Sequence, residues 1–502
     1  MIAKTHSAIP YGFEGRLVEV EGDMNRGLPA FNIVGMASKT VNEAKERVRS
    51  AINNSGFAFP TKKVTISLAP AELTKDGAYL DLPIALTVLV LSGQLLKSDV
   101  ANRLFVGELS LNGELRAVKG IINIVEIAKE AGIAEIYVPK ANSSQASLVS
   151  GVNVYGVGTL QELFLVLKKQ TTIVPVGNAE RSPATGFSGN SGPFLDHIRG
   201  QKMAKRAMEI AIAGHHNILI AGPPGAGKTL LAKAAANLLP DLTSEEIIDI
   251  TKLYSIAGQT TGEVIIERPF RSPHHTASAT SIIGGVGGPG EISLAHKGIL
   301  FLDEIPEFPR SVLESLRQPL EDKKISISRA NQKTTYPADF MMVATMNPCP
   351  CGYLGDSTHE CKCTETQIQN YQKKLSGPLF DRIDINITVE KVKNTELGED
   401  KPKTDSEHIV VKKTITRAIE RQLLRYRKGG FYNGSLSSFE VTQLLKMEPE
   451  AKRVLSSASE RLNLSARAYF KTIKVAQTIA DLDECDIISS KHIAEALAYR
   501  KR

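Results

Sequence analysis

Gly222 to Thr229 reads GPPGAGKT and meets every constrained position of the spacing G-x-x-x-x-G-K-[ST]. That pattern holds a nucleoside triphosphate. Gly222, Gly225 and Gly227 let backbone N–H groups approach phosphate oxygens, and Pro223, Pro224 and Ala226 fill the free positions between them. Lys228 reaches the β- and γ-phosphate oxygens, and the Thr229 hydroxyl is a ligand for Mg²⁺. Further on, Gly298 to Ile305 (GILFLDEI) is an apolar run closed by two carboxylates. A buried strand ending there presents Asp303 to the Mg²⁺ shell, and Glu304 polarises the water that attacks the γ-phosphate. A third apolar run, Phe340 to Thr345 (FMMVAT), stops just short of Asn347, whose amide suits orienting the same water.

A second chemistry lies close by. Cys349, Cys351, Cys361 and Cys363 follow the spacing C-x-C-x9-C-x-C, with His359 inside the loop as a possible substitute ligand. Four thiolates make a tetrahedral Zn²⁺ site, but this spacing is less diagnostic than paired C-x-x-C, and reduced structural thiols are the other reading. Cys485 lies far away in a helical stretch and is expected to be packed.

These residues need elements to position them. Asn217 to Ala221 (NILIA) reads as a short buried strand, and Leu230 to Leu239 as a helix whose N-terminus faces the anion. Upstream, Leu17 to Glu21, Phe31 to Val34 and Lys63 to Leu68 read as strands around a helix over Val41 to Asn54, an alternation that indicates an α/β fold. That helix is expected to bury Ala44, Val48, Ala51 and Ile52 and to show Lys45, Arg47 and Arg49 to solvent. Gly177 to Pro193 has the composition of a flexible tether. Between the phosphate loop and Asp303, the glycine-rich Arg268 to Lys297 reads as an insertion. Lys323 to Thr335 (KKISISRANQKTT) alternates as a β-hairpin carrying Lys323, Lys324, Arg329 and Lys333, which reads either as a nucleic-acid contact or as a solvated charged hairpin. A helix near Val411 to Lys428 aligns Arg417, Arg421, Arg425 and Lys428, and residues 401 to 430 hold nine basic and three acidic side chains. This stripe reads as a solvated face.

Composition bounds the rest. A chain of 502 residues accommodates about three or four domains. A net charge of +7, from 61 basic and 54 acidic residues, permits anionic partners without demanding them. Four of five cysteines in one loop argue against a secreted disulfide framework and for a reducing cytoplasm. The most apolar run, Leu82 to Leu91, is too short to span a bilayer, so no membrane partner is expected.

Residues 74 to 120, including TKDGAYLDLPIAL and GELSLNGELRAVKG, resemble the peptidase domain of Lon proteases, a fold also found in the repair ATPase RadA. The resemblance puts the nucleophilic serine at Tyr79 and the catalytic lysine near Ile124, so both groups of a Ser-Lys dyad are missing. It implies a scaffold or binding domain. Asp196 to Gln201 (DHIRGQ) resembles the segment that sets Ile198 and Gln201 against adenine in AAA+ ATPases. Arg382 in GPLFDRID resembles the arginine finger of the magnesium chelatase and MCM branch, which implies a ring, and Arg467 stands where that branch carries its sensor arginine, in a lid closing over the bound triphosphate. In motors of that branch both insertions face the central pore. Taken together, the order of motifs is similar to the ComM/YifB family of magnesium-chelatase-like AAA+ ATPases. The fold implied is α/β: a Lon-protease-like (ribosomal S5 domain 2-like) N-terminal domain over 1–170, a linker over 171–194, an AAA+ P-loop core over 195–392 and a helical C-terminal lid over 393–502. The function implied is that of an ATP- and Mg²⁺-dependent, hexameric cytoplasmic DNA motor, a branch-migration helicase serving natural transformation. A chelatase motor subunit and an ATP-dependent protease are the alternatives, the second disfavoured by Tyr79 and Ile124.

Overall fold

The computed structural model describes residues 2–35, 39–73, 75, 77–177, 194–285, 287–329, 332–356, 359–391 and 406–500. The expected tether, apart from Gly177, and the charged loop at 392–404 lie outside the described residues. The N-terminal part is built on a seven-stranded sheet in the order Ala30–Val34, Lys63–Ala69, Glu14–Asn25, Ile2–Tyr11, Arg103–Phe105, Glu135–Pro139, Asn153–Val157. Ile2–Tyr11 and Glu14–Asn25 form an antiparallel hairpin, and the strands beyond Ile2–Tyr11 run parallel. Helix Asp81–Leu91 is buried at every residue, so its DLPIALTVLVL sequence is apolar on all sides. The first helix spans Lys39–Asn54 and buries Ala44, Val48, Ala51 and Ile52 as expected. Its basic face differs from expectation: Arg47 Nε and Nη2 donate to the buried Asp81 carboxylate at 2.9 and 3.1 Å, because an acid inside the apolar core needs a counter-ion. Ile124 is fully buried in the helix Ile121–Glu130.

The second part is a five-stranded parallel sheet in the order Phe270–Arg271, Ile299–Leu302, Met341–Met346, Ile218–Ala221, Ile385–Thr388. Every residue of Ile299–Leu302 and Met341–Met346 is buried, as strands covered on both faces must be. The strand before the phosphate loop therefore lies inside the sheet, flanked by the strands that end in Asn347's approach and in Thr388. All three C-terminal ends meet at one edge, where open α/β sheets bind ligands.

The N-terminal part docks on the second through helix Ser244–Ile256 and the loop after it. The Gly120 N–H donates to Ser255 Oγ at 2.9 Å, Asn142 Nδ2 to the Thr261 carbonyl at 2.6 Å and Gln145 Nε2 to the Glu263 carbonyl at 2.9 Å. Lys252 pairs with Glu126 and sits 4.1 Å from the Phe13 ring centre. The C-terminal part is helical, with Glu407–Tyr426, Pro449–Arg461, Ala466–Leu482 and Ser490–Ala498 as its main helices. Its basic stripe is solvated at Arg417, which forms an exposed surface pair with Glu484, and at Lys428, whereas Arg421 pairs with Asp486 and Arg425 with the fully buried Asp481. Acids after and within Ala466–Leu482 consume the charge that sequence spacing alone leaves free. Cys485, expected to be packed, is exposed, since it falls in the turn after that helix. Among the described residues no helix is long and apolar enough to cross a membrane.

Candidate active site

The phosphate loop leaves strand Ile218–Ala221 and enters helix Lys228–Leu238. Gly227 has φ +83°, a left-handed conformation that costs glycine nothing. At Gly222 a side chain would meet the Val389 carbonyl oxygen at 2.5 Å, so the close approach of the neighbouring chain excludes any larger residue. Lys228 is mostly buried, and its ammonium donates to the carbonyls of Gly222 at 2.6 Å and Pro223 at 3.0 Å and to Asn347 Oδ1 at 3.0 Å. Burial lowers the Lys228 pKa, and Asp303 and Glu304 oppose that drop.

Across the loop stands the acid pair. Thr229 Oγ1 donates to Asp303 Oδ2 at 3.3 Å, which places a hydroxyl and a carboxylate side by side as Mg²⁺ requires. Asn347 Nδ2 donates to Glu304 Oε1 at 3.3 Å. Glu304 has φ +52°, an uncommon conformation for a residue with a side chain and one found at sites where geometry is imposed by the surroundings. The constraint comes from a residue that sequence reasoning missed. Thr345 is fully buried, its hydroxyl accepts from the Glu304 N–H at 3.0 Å and donates to Asp303 Oδ1 at 2.5 Å. The only signal was a hydroxyl at the end of an otherwise apolar run.

Five predicted side chains thus converge: Lys228, Thr229, Asp303, Glu304 and Asn347. The donor set fits a magnesium nucleotide, with glycine backbone and helix N-terminus for the phosphates and Thr229 with Asp303 for the metal. Gln201 also joins the loop, donating through Nε2 to the carbonyls of Ala226 at 3.3 Å and Glu390 at 2.6 Å, and Ile198 packs in the same apolar cluster as Ala226.

Two predicted residues stand elsewhere. Arg382 precedes strand Ile385–Thr388, and the neighbouring Asp384 accepts from the Asn217 N–H at 2.9 Å. That is the starting edge of the sheet, whereas the phosphate loop leaves the opposite edge five residues on, about 16 Å away at strand rise. Arg467 lies at the same starting edge and not over the chain's own loop. Its helix is fixed there by Lys471, which pairs with Asp384 at 2.8 Å, and by Thr478 at 2.8 Å from His216 Nε2. The expected lid over the chain's own triphosphate is therefore not the arrangement seen.

The cysteines gather as the spacing suggested. Sγ atoms of Cys349, Cys351, Cys361 and Cys363 all lie within 4.8 Å of one another, with contacts of 3.4 Å for Cys349–Cys351 and 3.6 Å from Cys361 to each. Tetrahedral Zn–S bonds demand sulfur separations of about 3.8 Å, so the four thiols fit zinc. His359 is outside the group and stacks on Tyr353. The loop rests on the nucleotide site, since a side chain at Gly352 would touch Pro224 Cδ at 2.8 Å.

The hairpin forms as predicted, Lys324–Arg329 pairing with Gln332–Pro337. Lys323 is at the base, tied to Asp339 at 3.1 Å and Ser435 Oγ at 2.7 Å, because Asp339 is nearly buried and needs the charge. Lys324 is exposed beside it. Arg329 belongs to the tip, its side chain outside the described residues.

A parallel sheet with the phosphate loop on an inner strand, a polar residue after the adjacent strand and an acid pair after the next one out defines a P-loop ATPase of the AAA+ class. The family described as magnesium chelatase, subunit ChlI, matches residues 194–397, a second described as subunit ChlI of Mg-chelatase matches residues 20–142, and the magnesium chelatase subunit ChlI C-terminal family matches residues 405–500. The chain is 41% identical to Competence protein ComM of Haemophilus influenzae over 99% of this chain and 97% of that one. It is equally 41% identical to the uncharacterized protein YifB of Escherichia coli, over 99% and 96%. Similarity to the magnesium-chelatase 67 kDa subunit of Chlorobaculum parvum is 27% and covers 31% of this chain. The chain belongs to the ComM/YifB family of magnesium-chelatase-like AAA+ proteins.

Proposed function

We propose that this protein is an ATP-driven DNA motor that works as a ring, with six subunits, and moves branched DNA during recombination in natural transformation. The observation that carries the ring is the position of Arg382, about 16 Å along the sheet from its own phosphate loop and so serviceable only to a neighbour's nucleotide. Bound magnesium ATP supplies the electrophilic γ-phosphorus and the metal charge that stabilises the leaving oxygens. Lys228 gives up its loop carbonyls to hold the phosphates, and Thr229 and Asp303 hold the metal. Glu304, aimed by Thr345 and bonded to Asn347, orients and polarises the attacking water.

DNA as the track rests on family membership, whose relatives include a protein named for competence, and on the exposed Lys324 and the tip residue Arg329 of the hairpin. The Cys349, Cys351, Cys361 and Cys363 site holds zinc in this reading and braces the loop after Asn347. The N-terminal part, Lon-like by resemblance, serves as a scaffold: Tyr79 and the buried Ile124 occupy the two positions that the resemblance assigns to a Ser-Lys dyad. A chelatase motor is the rival, supported by the partial match to a magnesium chelatase subunit. ATP-dependent displacement of a labelled strand from a forked or four-way junction tests the proposal, with Glu304→Gln as the control that binds nucleotide without hydrolysing it. Junctions left intact by a protein that hydrolyses ATP would favour the chelatase reading.

A further inference from the structure

One carboxylate oxygen holds two arginines at the subunit edge. Glu321 Oε1 lies 2.8 Å from Arg382 Nη2 and 3.1 Å from Arg467 Nη2. The two guanidiniums come from segments far apart in sequence, one before strand Ile385–Thr388 and one at the start of helix Ala466–Leu482. Arg382 is nearly buried, and its Nη1 also donates to the Pro378 carbonyl at 2.7 Å. Arg467 is more than half exposed, so a group outside this chain can reach it. An oxygen anion bridging two guanidiniums is chemically close to a terminal phosphate oxygen.

Glu321 itself is placed to report what happens to it. It lies in the last turn of helix Arg317–Asp322, two residues from Lys323. That residue closes the helix, its N–H donating to the Pro319 carbonyl at 3.0 Å, and opens the hairpin, its carbonyl accepting from the Ala338 N–H at 2.8 Å. Helix end and hairpin base are therefore one hydrogen-bonded piece, with Ser326 N–H reaching back to Gln318 Oε1 at 3.4 Å.

We infer that Glu321 is a positioning residue that acts as the resting counter-ion of both Arg382 and Arg467, exchanged for the γ-phosphate of a neighbouring copy's ATP when two subunits close. The inference rests on the trans role of Arg382 argued above and adds three things to it. Arg467 works beside Arg382 on the neighbour's nucleotide. Both arginines must leave Glu321 to do so, which scales the apparent affinity for ATP in the ring down by the fraction of time they are free. Their departure releases the end of the helix that runs into the hairpin, so the neighbour's nucleotide state is passed to the element proposed to touch DNA.

The test uses the full-length assembled protein and reads KM against kcat for ATP without DNA. Two partly exposed ion pairs are worth enough to shift the competent fraction by roughly three- to tenfold. Glu321→Gln should lower KM by that factor with kcat changed less than about twofold, and Glu321→Asp, which keeps a shorter carboxylate, should fall between it and the wild type. Wild-type KM should also fall as added salt screens the pairs, and that salt response should vanish in Glu321→Gln. A direct readout in trans comes from doping wild-type rings with Lys228→Ala/Glu321→Gln subunits, which hold no nucleotide of their own. These should lower the KM of their wild-type neighbours, and Lys228→Ala subunits should not. An unchanged KM, or a fall in kcat alone, overturns the role of Glu321 while leaving trans action intact. If mixing Arg382→Ala with Lys228→Ala subunits restores no hydrolysis despite subunit exchange, trans action fails and the exchange of Glu321 fails with it.

Discussion

The Thr345 hydroxyl accepts the backbone N–H of Glu304 at 3.0 Å and, in the same position, donates to the carboxylate of Asp303. One buried side chain thus fixes both the residue assigned to the metal and the left-handed backbone that aims the residue assigned to water. Thr345→Val keeps the shape and removes both bonds. It should lower kcat by about 10- to 100-fold, the usual cost of losing such a support, while nucleotide binding by a fluorescent ATP analogue falls far less. Equal losses in binding and turnover would mean that the hydroxyl holds the fold and not the geometry of Glu304.

Zinc is the next expectation. Protein purified without chelator should contain about one zinc per chain, and Cys351→Ser should abolish it. Because the cysteine loop leans on Pro224 and follows Asn347, metal removal should also reduce ATP turnover. Metal-free protein with full activity would leave the four thiols a packing role.

The hairpin's charges should divide by position. Lys324→Ala with Arg329→Ala should weaken DNA binding for all sequences alike and flatten the dependence of log affinity on log salt by about one to two units. Lys323→Ala removes one of the two lysines, with Lys297, that pair with nearly buried Asp339, so it should reduce thermal stability in the absence of DNA. Arg417→Ala, whose charge is already paired with Glu484, should change neither salt slope nor affinity. Loss of DNA binding in Arg417→Ala would reverse this assignment.

Stability should fall on mild acidification. Burial lowers the His216 pKa from 6.5 to about 4 and that of the adjacent His215 to about 3. The unfolded chain takes up these protons first, so the stabilisation is complete above pH 6.5 and is lost as pH falls towards 4. Each histidine contributes a slope of up to about 1.4 kcal/mol per pH unit in that window. His216→Gln, which keeps an amide near Thr478, should flatten the fall in melting temperature between pH 6.5 and 4. An unchanged slope would show that other groups set the acid limit.

Much of the nucleotide site was legible because its residues are local. Loop spacing, an apolar run ending in Asp303 and Glu304, and another ending before Asn347 each identify a strand and what stands at its end. What escaped reading depends on partners distant in sequence. Thr345 acquires its role only when two strands lie side by side, and Glu321 when three separate segments meet. Arg467 was expected over its own nucleotide, but Lys471 with Asp384 and Thr478 with His216 turn its helix to the other edge. Of the basic residues of Glu407–Tyr426, Arg417 stays exposed as its spacing suggested, but Arg425 turns inward on Asp481, a partner that lies 56 residues away.

The central claim is that hydrolysis at this site drives work on DNA. Its most direct test is phosphate release by the wild-type protein with no DNA, with single strands and with forked DNA, set beside Glu304→Gln. The account predicts hydrolysis that forked DNA stimulates several-fold and that Glu304→Gln eliminates without loss of nucleotide binding. Hydrolysis indifferent to every DNA, or undiminished in Glu304→Gln, would contradict it.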